Sequence, residues 1–251
     1  MNKLDQNEQN AFDGAFAVVD RERLIEEETK VVTPWYKHFW YSMVSPTRMM
    51  QENYLQEPPK GNSIAIVGLI LSITIIMMVN NNNIGIKQAA YDALRSKDIA
   101  EDMLAQQYMV KLFIDGISMF INTLFSGLIL SICFQVMKPI FKDKYKFGQL
   151  YTVVLMGLYI ATLIQAVDVI VSTVIGVDYL VLNLSSFVNR ASLVEDVKLL
   201  SILNFFSLET IISMGYMTIG YSIITGKSKK QAFIRVIILQ AILFGLMLMT
   251  L

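Results

Sequence analysis

Five stretches of the chain are apolar almost throughout: Ser63–Val79, Leu112–Val136, Leu150–Val174, Leu200–Ile224 and Phe233–Leu251. A membrane-crossing helix needs about 20 mostly apolar residues, so each stretch predicts a span, the first at the short end of the range. Ahead of them, residues 1–32 are polar and charged and predict a flexible cytoplasmic tail. Residues 33–62 carry a different pattern. Thr33 and Pro34 supply a helix N-cap and a first-turn proline. Tyr36, Trp40, Met43 and Val44 then fall on one helical face with Trp35 and Phe39 beside them, while Lys37, His38 and Ser42 lie off it. Ser45-Pro46 repeats the start for a second helix bearing Met49, Met50 and Tyr54. Tyrosine and tryptophan favour the membrane–water boundary. This segment predicts amphipathic helices lying on the cytoplasmic surface, anchored by Trp35, Tyr36, Phe39 and Trp40. The fold class expected is all-α: a polytopic membrane protein with five transmembrane helices in residues 63–251, preceded by interfacial helices in 33–62.

Orientation follows from lysine and arginine in the connections. With the N-terminus inside, fifteen of the 21 basic residues fall on the cytoplasmic side, including Lys138, Lys142, Lys144, Lys146, Lys227, Lys229 and Lys230. Six fall outside: Lys87, Arg95, Lys97, Lys111, Arg190 and Lys198. The N-terminus is therefore expected inside and the C-terminus outside. In the first outer connection, Lys87–Met109 predicts one or two helices broken near Ser96-Lys97-Asp98, with Asp98 and Glu101 at capping-box spacing for a restart. Its apolar positions Ala93, Leu94, Ala100, Met103 and Leu104 predict a packed face.

Polar residues inside the spans are few and ordered. Asp115, Ser118, Asn122 and Ser126 share one face of the second span, and Thr162, Gln165, Asp168 and Ser172 one face of the third. Glu209, Ser213, Tyr216 and Gly220 do the same on the fourth, where Asn204 adds another amide. At 1.5 Å per residue the three acids lie roughly 5, 9 and 14 Å below the outer ends of their spans. Ionisable groups at such depth usually face a bundle interior. Asp115, Asn122, Gln165, Asp168, Asn204 and Glu209 thus form a candidate intramembrane polar site. Two readings follow: a cation- or proton-binding site, or interhelical hydrogen bonding with carboxyls kept protonated by burial. Lys111, one turn before Asp115, is placed to neutralise it.

Composition narrows the chemistry. Only 17% of the 251 residues are charged, mean hydropathy is +0.49, and the formal net charge is zero, so no basic field points to nucleic acid. One histidine, His38, and one cysteine, Cys133, fall short of a zinc site or a disulfide. His38 has no partners nominated for a Ser-His-Asp arrangement, and no Walker-type phosphate loop occurs. Glu26-Glu27-Glu28 has the look of paired intramembrane-protease glutamates, but such enzymes also need intramembrane histidines, and the spans contain none. The first 30 residues lack the apolar core of a cleavable signal, so the N-terminus is expected to be retained. Neither an enzyme nor a cofactor is expected.

Three local patterns carry a family resemblance. Ser45-Pro46 followed by Met49-Met50, then Glu57-Pro58-Pro59, looks like a proline-led entry helix before the first span. The run Leu199 to Leu208, with Met214-Gly215, looks like a characteristic fourth span, and Gly226 to Ala232 like a basic turn ending in alanine before the last. With the order of segments, residues 35–251 resemble the Yip1 family of membrane proteins. Ser45 stands where that family usually has aspartate, and Glu209 where bulky residues are common. The resemblance implies association rather than catalysis. Eukaryotic members act in vesicle traffic and bind small GTPases or one another, and a bacterial member is associated with assembly of an ABC-type exporter that protects against a peptide toxin. The expectation is a non-enzymatic accessory protein of the plasma membrane. Its expected partners are the lipid bilayer and an ABC-type permease or adaptor subunit, or a homo-oligomer. Contact surfaces expected are the N-terminal helices, the 80–111 connection and the small-residue faces at Gly116 and Gly127. The alternative is a transporter or channel component using the intramembrane acids.

Overall fold

The computed structural model describes residues 35–54, 61–97, 99–177, 182, 199, 202–203 and 206–250. The chain divides into two units, Met1–His38 and Phe39–Leu251. Of the first, only the opening of a helix at Trp35 is described; the expected tail lies outside the described residues. All packing below belongs to the second unit.

Every regular element among the described residues is helical. In chain order they are α1 (Trp35–Val44), α2 (Pro46–Tyr54), α3 (Gly61–Asn82), α4 (Ile84–Arg95), a 3-10 turn at Glu101–Met103, α5 (Leu104–Phe141), α6 (Phe147–Ile175), α7 (Leu208–Thr225) and α8 (Lys229–Thr250). Three helices, covered by Asn62–Asn82, Glu101–Phe141 and Phe147–Ile175, are long and apolar enough to cross a membrane. The described residues are thus all-helical, and by length and composition three of their helices mark a membrane protein.

The central element is α6. It packs against α2, α3, α5 and α7, and its run from Thr152 to Gly157 is buried without interruption, which only a helix surrounded by others can show. Its C-terminal half joins α3 through Ile76, Ala166 and Val169. Its middle joins α2, α3 and α7 through Met50, Ala65, Leu69, Tyr159 and Tyr216. Its N-terminal half joins α5, α7 and α8 through Leu130, Phe134, Leu150, Met217 and Leu239. Close approach depends on glycine at two points. A β-carbon on Gly157 would lie 2.6 Å from Met217 Cγ and 3.3 Å from the Ser213 carbonyl, and one on Gly68 would run into the Tyr159 ring.

The outer helices invert the soluble pattern. On α8, Ala232, Val236 and Leu239 are buried at helical spacing, while Phe233, Ile234, Ile237, Ile238 and Ile242 are exposed. On α5, Phe113, Ile117, Ile121, Phe125, Ile129 and Ile132 are exposed. Gly116 and Gly127, expected as contact faces, instead point into the bundle: Gly116 meets Met77, and Gly127 meets Leu155 and Leu158. Small residues here let the chain's own helices close up.

Two boundaries differ from the sequence expectation. The second span runs unbroken from Leu104 to Phe141, because nothing between 104 and 111 breaks a helix and Leu104 and Tyr108 pack with Leu94 of α4. The helical restart begins at Glu101, with Ala100 as the residue before it. Glu101 turns back to Arg95, with contacts of 2.7 and 3.1 Å, and the helix begins only after the 3-10 turn. Asp98 itself lies outside the described residues. The break after Arg95 is where the sequence places it, but of the five apolar positions only Leu94 and Leu104 are buried.

The helix in the stretch expected as a fourth span starts later than the sequence suggests. It begins at Leu208, not Leu200, because Ser207 caps it by accepting the Thr210 N–H at 3.4 Å, while the Phe206 N–H turns back to the Leu203 carbonyl.

At the α3–α4 junction Asn83 caps α4, accepting the Ile86 N–H at 3.1 Å, and donates to Thr173 of α6 at 3.0 Å. Among the interfacial residues, Trp40, Met43 and Val44 are exposed, Ser42 is fully buried and shares a hydrogen bond with Tyr159, and Met50 is fully buried. The side chains of Trp35, Tyr36 and Phe39 lie outside the described residues.

Candidate functional site

A cavity of about 310 Å³ opens between α5, α6 and the first turn of α7. Its walls are Met119, Asn122, Thr123 and Ser126 from α5, Leu158, Ala161, Thr162 and Gln165 from α6, and Glu209 from α7. The i, i+3, i+4, i+7 spacing on both long helices makes each set one continuous face. Six of the nine are polar, in a bundle whose other contacts are mostly apolar.

The late start of α7 is what brings Glu209 here. As the second residue of the helix, it belongs to the first turn and not to the middle of a span. That turn lies beside Thr162 and Gln165, ten residues and about 15 Å short of the end of α6. The backbone N–H groups at a helix start favour a negative side chain there.

The polar groups differ in what they offer. Thr123 donates to the Met119 carbonyl at 2.8 Å and Thr162 to the Leu158 carbonyl at 3.0 Å. Each threonine hydroxyl therefore has its proton engaged along its own helix and keeps its lone pairs. Asn122, Ser126 and Gln165 make no hydrogen bond to another described residue. Among the described residues, no lysine, arginine or histidine lines the cavity.

Of the candidate polar residues, Asn122, Gln165 and Glu209 meet in this cavity. Asp115 does not: it is exposed on α5 and ion-paired with Lys111, the partner its spacing nominated. Asp168 does not either. It is fully buried, accepts the Leu182 N–H at 2.9 Å and lies 3.4 Å from the Ser172 hydroxyl, so one carboxylate oxygen ties the chain after α6 back to that helix. Asn204 lies outside the described residues. Thr123, Met119, Leu158 and Ala161 were not singled out by sequence, because ordinary small and apolar side chains carry no signal until two helices face each other.

A second polar cluster had no sequence nomination at all. Lys142 ends α5 in the left-handed conformation, φ 52°, and the Asp143 N–H then bonds the Lys138 carbonyl. This turn sends the fully buried Asp143 carboxylate inward, where it pairs with Arg235 of α8 and accepts the Tyr221 hydroxyl of α7 at 2.6 Å. Tyr145 donates to the Phe134 carbonyl at 2.8 Å, and Lys138 donates to the Tyr145 carbonyl at 2.7 Å. Burial pushes the Tyr145 phenol up to about 12. The available signal was that Asp143 is the lone acid among Lys138, Lys142, Lys144 and Lys146. Every bond in this cluster joins elements of the bundle, which makes it a structural clamp.

Among the described residues, no group of three or more histidine, cysteine, aspartate or glutamate side chains is placed to hold a metal ion. No family model, curated protein or solved structure matches the chain.

Proposed function

We propose that the chain is a five-span, Yip1-like accessory protein of the plasma membrane that assists a membrane complex such as an ABC-type exporter in toxin or antimicrobial-peptide defence. In this reading α7 and α8, at 18 and 22 residues, are the fourth and fifth spans. Their lengths of about 27 and 33 Å bracket the roughly 30 Å of a bilayer core. The Asp143–Arg235 and Asp143–Tyr221 contacts put the Lys138–Lys146 turn and the Lys227–Lys230 turn at one end of the bundle, and that shared basic end supports N-terminus in, C-terminus out.

The observation that carries the reading is α2. It begins at Pro46, and its Met50 is fully buried against Gly220, whose β-carbon would lie 2.9 Å from the sulfur. A short proline-led helix ahead of the first span, the entry feature on which the resemblance rests, thus packs on the bundle through Met50. The turn from Gly226, left-handed at φ 65°, through Lys229 to the buried Ala232 adds to it. Crosslinking in intact membranes, followed by mass spectrometry, tests the proposal: an ABC-type permease or adaptor subunit should be captured reproducibly. Recovery of the chain alone, or only with copies of itself, sinks the exporter reading.

The cavity at Glu209 favours a second reading, a transporter or channel component. It expects Glu209→Gln to abolish flux while expression and folding persist.

A further inference from the structure

The Lys138–Lys146 turn and the segment from Lys227 to Arg235 carry eight basic residues and one acid, Asp143. That acid is fully buried and engaged by Arg235 and Tyr221, so neither segment has an acid left for its lysines. From this we infer that this end of the bundle binds the headgroup of an anionic phospholipid. Lys142, Lys144, Lys229 and Lys230 hold the phosphate, and the acyl chains run along the exposed apolar faces of α5 and α8. The inference holds under either functional reading, since it requires only a bilayer beside those two helices.

Three observations select this ligand. First, the clamp brings the lysines of distant segments together. Arg235 pairs with Asp143, which sits between Lys142 and Lys144, and also donates to the Phe141 carbonyl at 3.3 Å. Lys230 lies five residues before Arg235 on α8, about 7.5 Å along the axis. Second, the four lysines are exposed and make no ion pair with another described residue, whereas Lys138 is engaged on the Tyr145 carbonyl. Ammonium groups offer only donors, and the phosphate oxygens of a headgroup only accept. Third, apolar surface begins beside the charge. Lys230, Phe233, Ile234 and Ile237 follow at i, i+3, i+4 and i+7, one stripe of α8, and its three apolar members are exposed. On α5, Val136 and Ile140 are 65% and 66% exposed and lead to Lys142. A free phosphate would use the lysines alone. A diacyl lipid uses both parts, as basic clusters at the ends of membrane helices do with anionic headgroups.

The test uses the full chain in detergent micelles, titrated with dioleoylphosphatidylglycerol and separately with dioleoylphosphatidylcholine, and read by native mass spectrometry. The two lipids share their chains and differ in charge. Phosphatidylglycerol is expected to bind at least tenfold tighter. The variant K142Q/K144Q/K229Q/K230Q should lose at least tenfold of that affinity while phosphatidylcholine binding stays unchanged. All four are exposed side chains outside the Asp143–Arg235 pair, so the variant should melt near wild type. If it fails to elute as folded protein, K142Q/K144Q and K229Q/K230Q decide separately, each with an expected loss of at least threefold. Unchanged affinity in the variants overturns the site. Equal binding of the two lipids overturns the proposal and leaves the lysines to an acidic protein surface. Glycerol phosphate, which has the phosphate without the chains, should not compete at about a hundredfold excess over the lipid. Displacement by it assigns the lysines to free phosphate and overturns the lipid.

Discussion

Asp143 and Arg235 are 92 positions apart in sequence and form an ion pair in which the aspartate side chain is fully buried and the arginine partly so. The carboxylate uses its other oxygen for Tyr221, and the guanidinium also donates to the Phe141 carbonyl at 3.3 Å. One turn thus holds three helices together at the lysine-rich end of the bundle.

Removing one partner of a buried pair typically costs about 3–5 kcal/mol, because the other charge is left without compensation. Arg235→Ala, which strands the fully buried Asp143 carboxylate, is expected to destabilise by that order, and Asp143→Ala by less, since the arginine left behind keeps some solvent access. The double variant should cost much less than the sum. Unfolding free energies in detergent or bicelles check this, and additive effects would show that the pair is not coupled.

The same cluster sets an alkaline limit. Tyr145 is 7% exposed and its phenol is raised to about 12, against about 10 when unfolded. The folded state holds the proton more tightly, so this contribution is complete below pH 10 and is lost as pH rises from 10 to 12. Stability measured across that window should fall in wild type and fall less steeply in Tyr145→Phe. That variant also loses the hydroxyl's bond to the Phe134 carbonyl, so its stability at pH 8 should be lower. Parallel curves would dismiss the linkage.

Much of the fold is legible in the hydrophobic pattern because long apolar runs have few alternatives. The Ser63–Val79 and Leu150–Val174 runs lie inside α3 and α6 with only a few residues added at each end. What failed was local chemistry that the pattern does not weigh. A single serine, Ser207, starts α7 eight residues late, and that shift carries Glu209 from mid-span to a first turn. Asn122, Gln165 and Glu209, drawn from three separate stripes, line one cavity. The stripes could not separate those from Asp168, on the same face of α6 but bonded to Leu182, because the periodicity of one helix does not identify its neighbour. Asp143 was invisible because its burial depends on a left-handed lysine and on helices that arrive about 80 residues later.

Helix packing around α6 predicts a size limit at Gly157. Its missing β-carbon would lie within 2.6 Å of Met217 Cγ and 3.3 Å of a backbone oxygen. Gly157→Ala should destabilise by about 1–3 kcal/mol, the usual range for overpacking. In the Met217→Ala background the same substitution should cost much less, as the side chain in the way is gone. An equal cost in both backgrounds would place the strain at the Ser213 carbonyl instead.

Exposed Asp115 and buried Asp168 should respond oppositely to neutralisation. Asp115 and Lys111 form an i, i+4 pair with both side chains about half exposed, and such pairs contribute about 0.3–0.5 kcal/mol. Asp115→Asn is therefore expected within about 0.5 kcal/mol of wild type. Asp168→Ala removes the carboxylate that accepts the Leu182 N–H and should cost about 1–3 kcal/mol, with faster hydrogen exchange at residue 182. Equal stabilities would mean that the Asp168 bond contributes nothing net.

The interfacial helix is testable through its own fluorescence, because the chain has only two tryptophans, Trp35 and Trp40. Trp40 is 64% exposed beside exposed Met43 and Val44, while Ser42 on the same helix is fully buried. An apolar face that points away from the bundle while a serine points in is the arrangement expected of a helix bathed in lipid. In a Trp35→Phe background, Trp40 emission should be blue-shifted and quenched by lipids brominated near the headgroup more than by lipids brominated near the chain end. Trp40→Lys in the same chain should weaken membrane association of a residue 30–60 peptide by at least tenfold. If aqueous acrylamide quenches Trp40 efficiently and brominated lipid does not, the helix faces water and the surface-docking assignment fails.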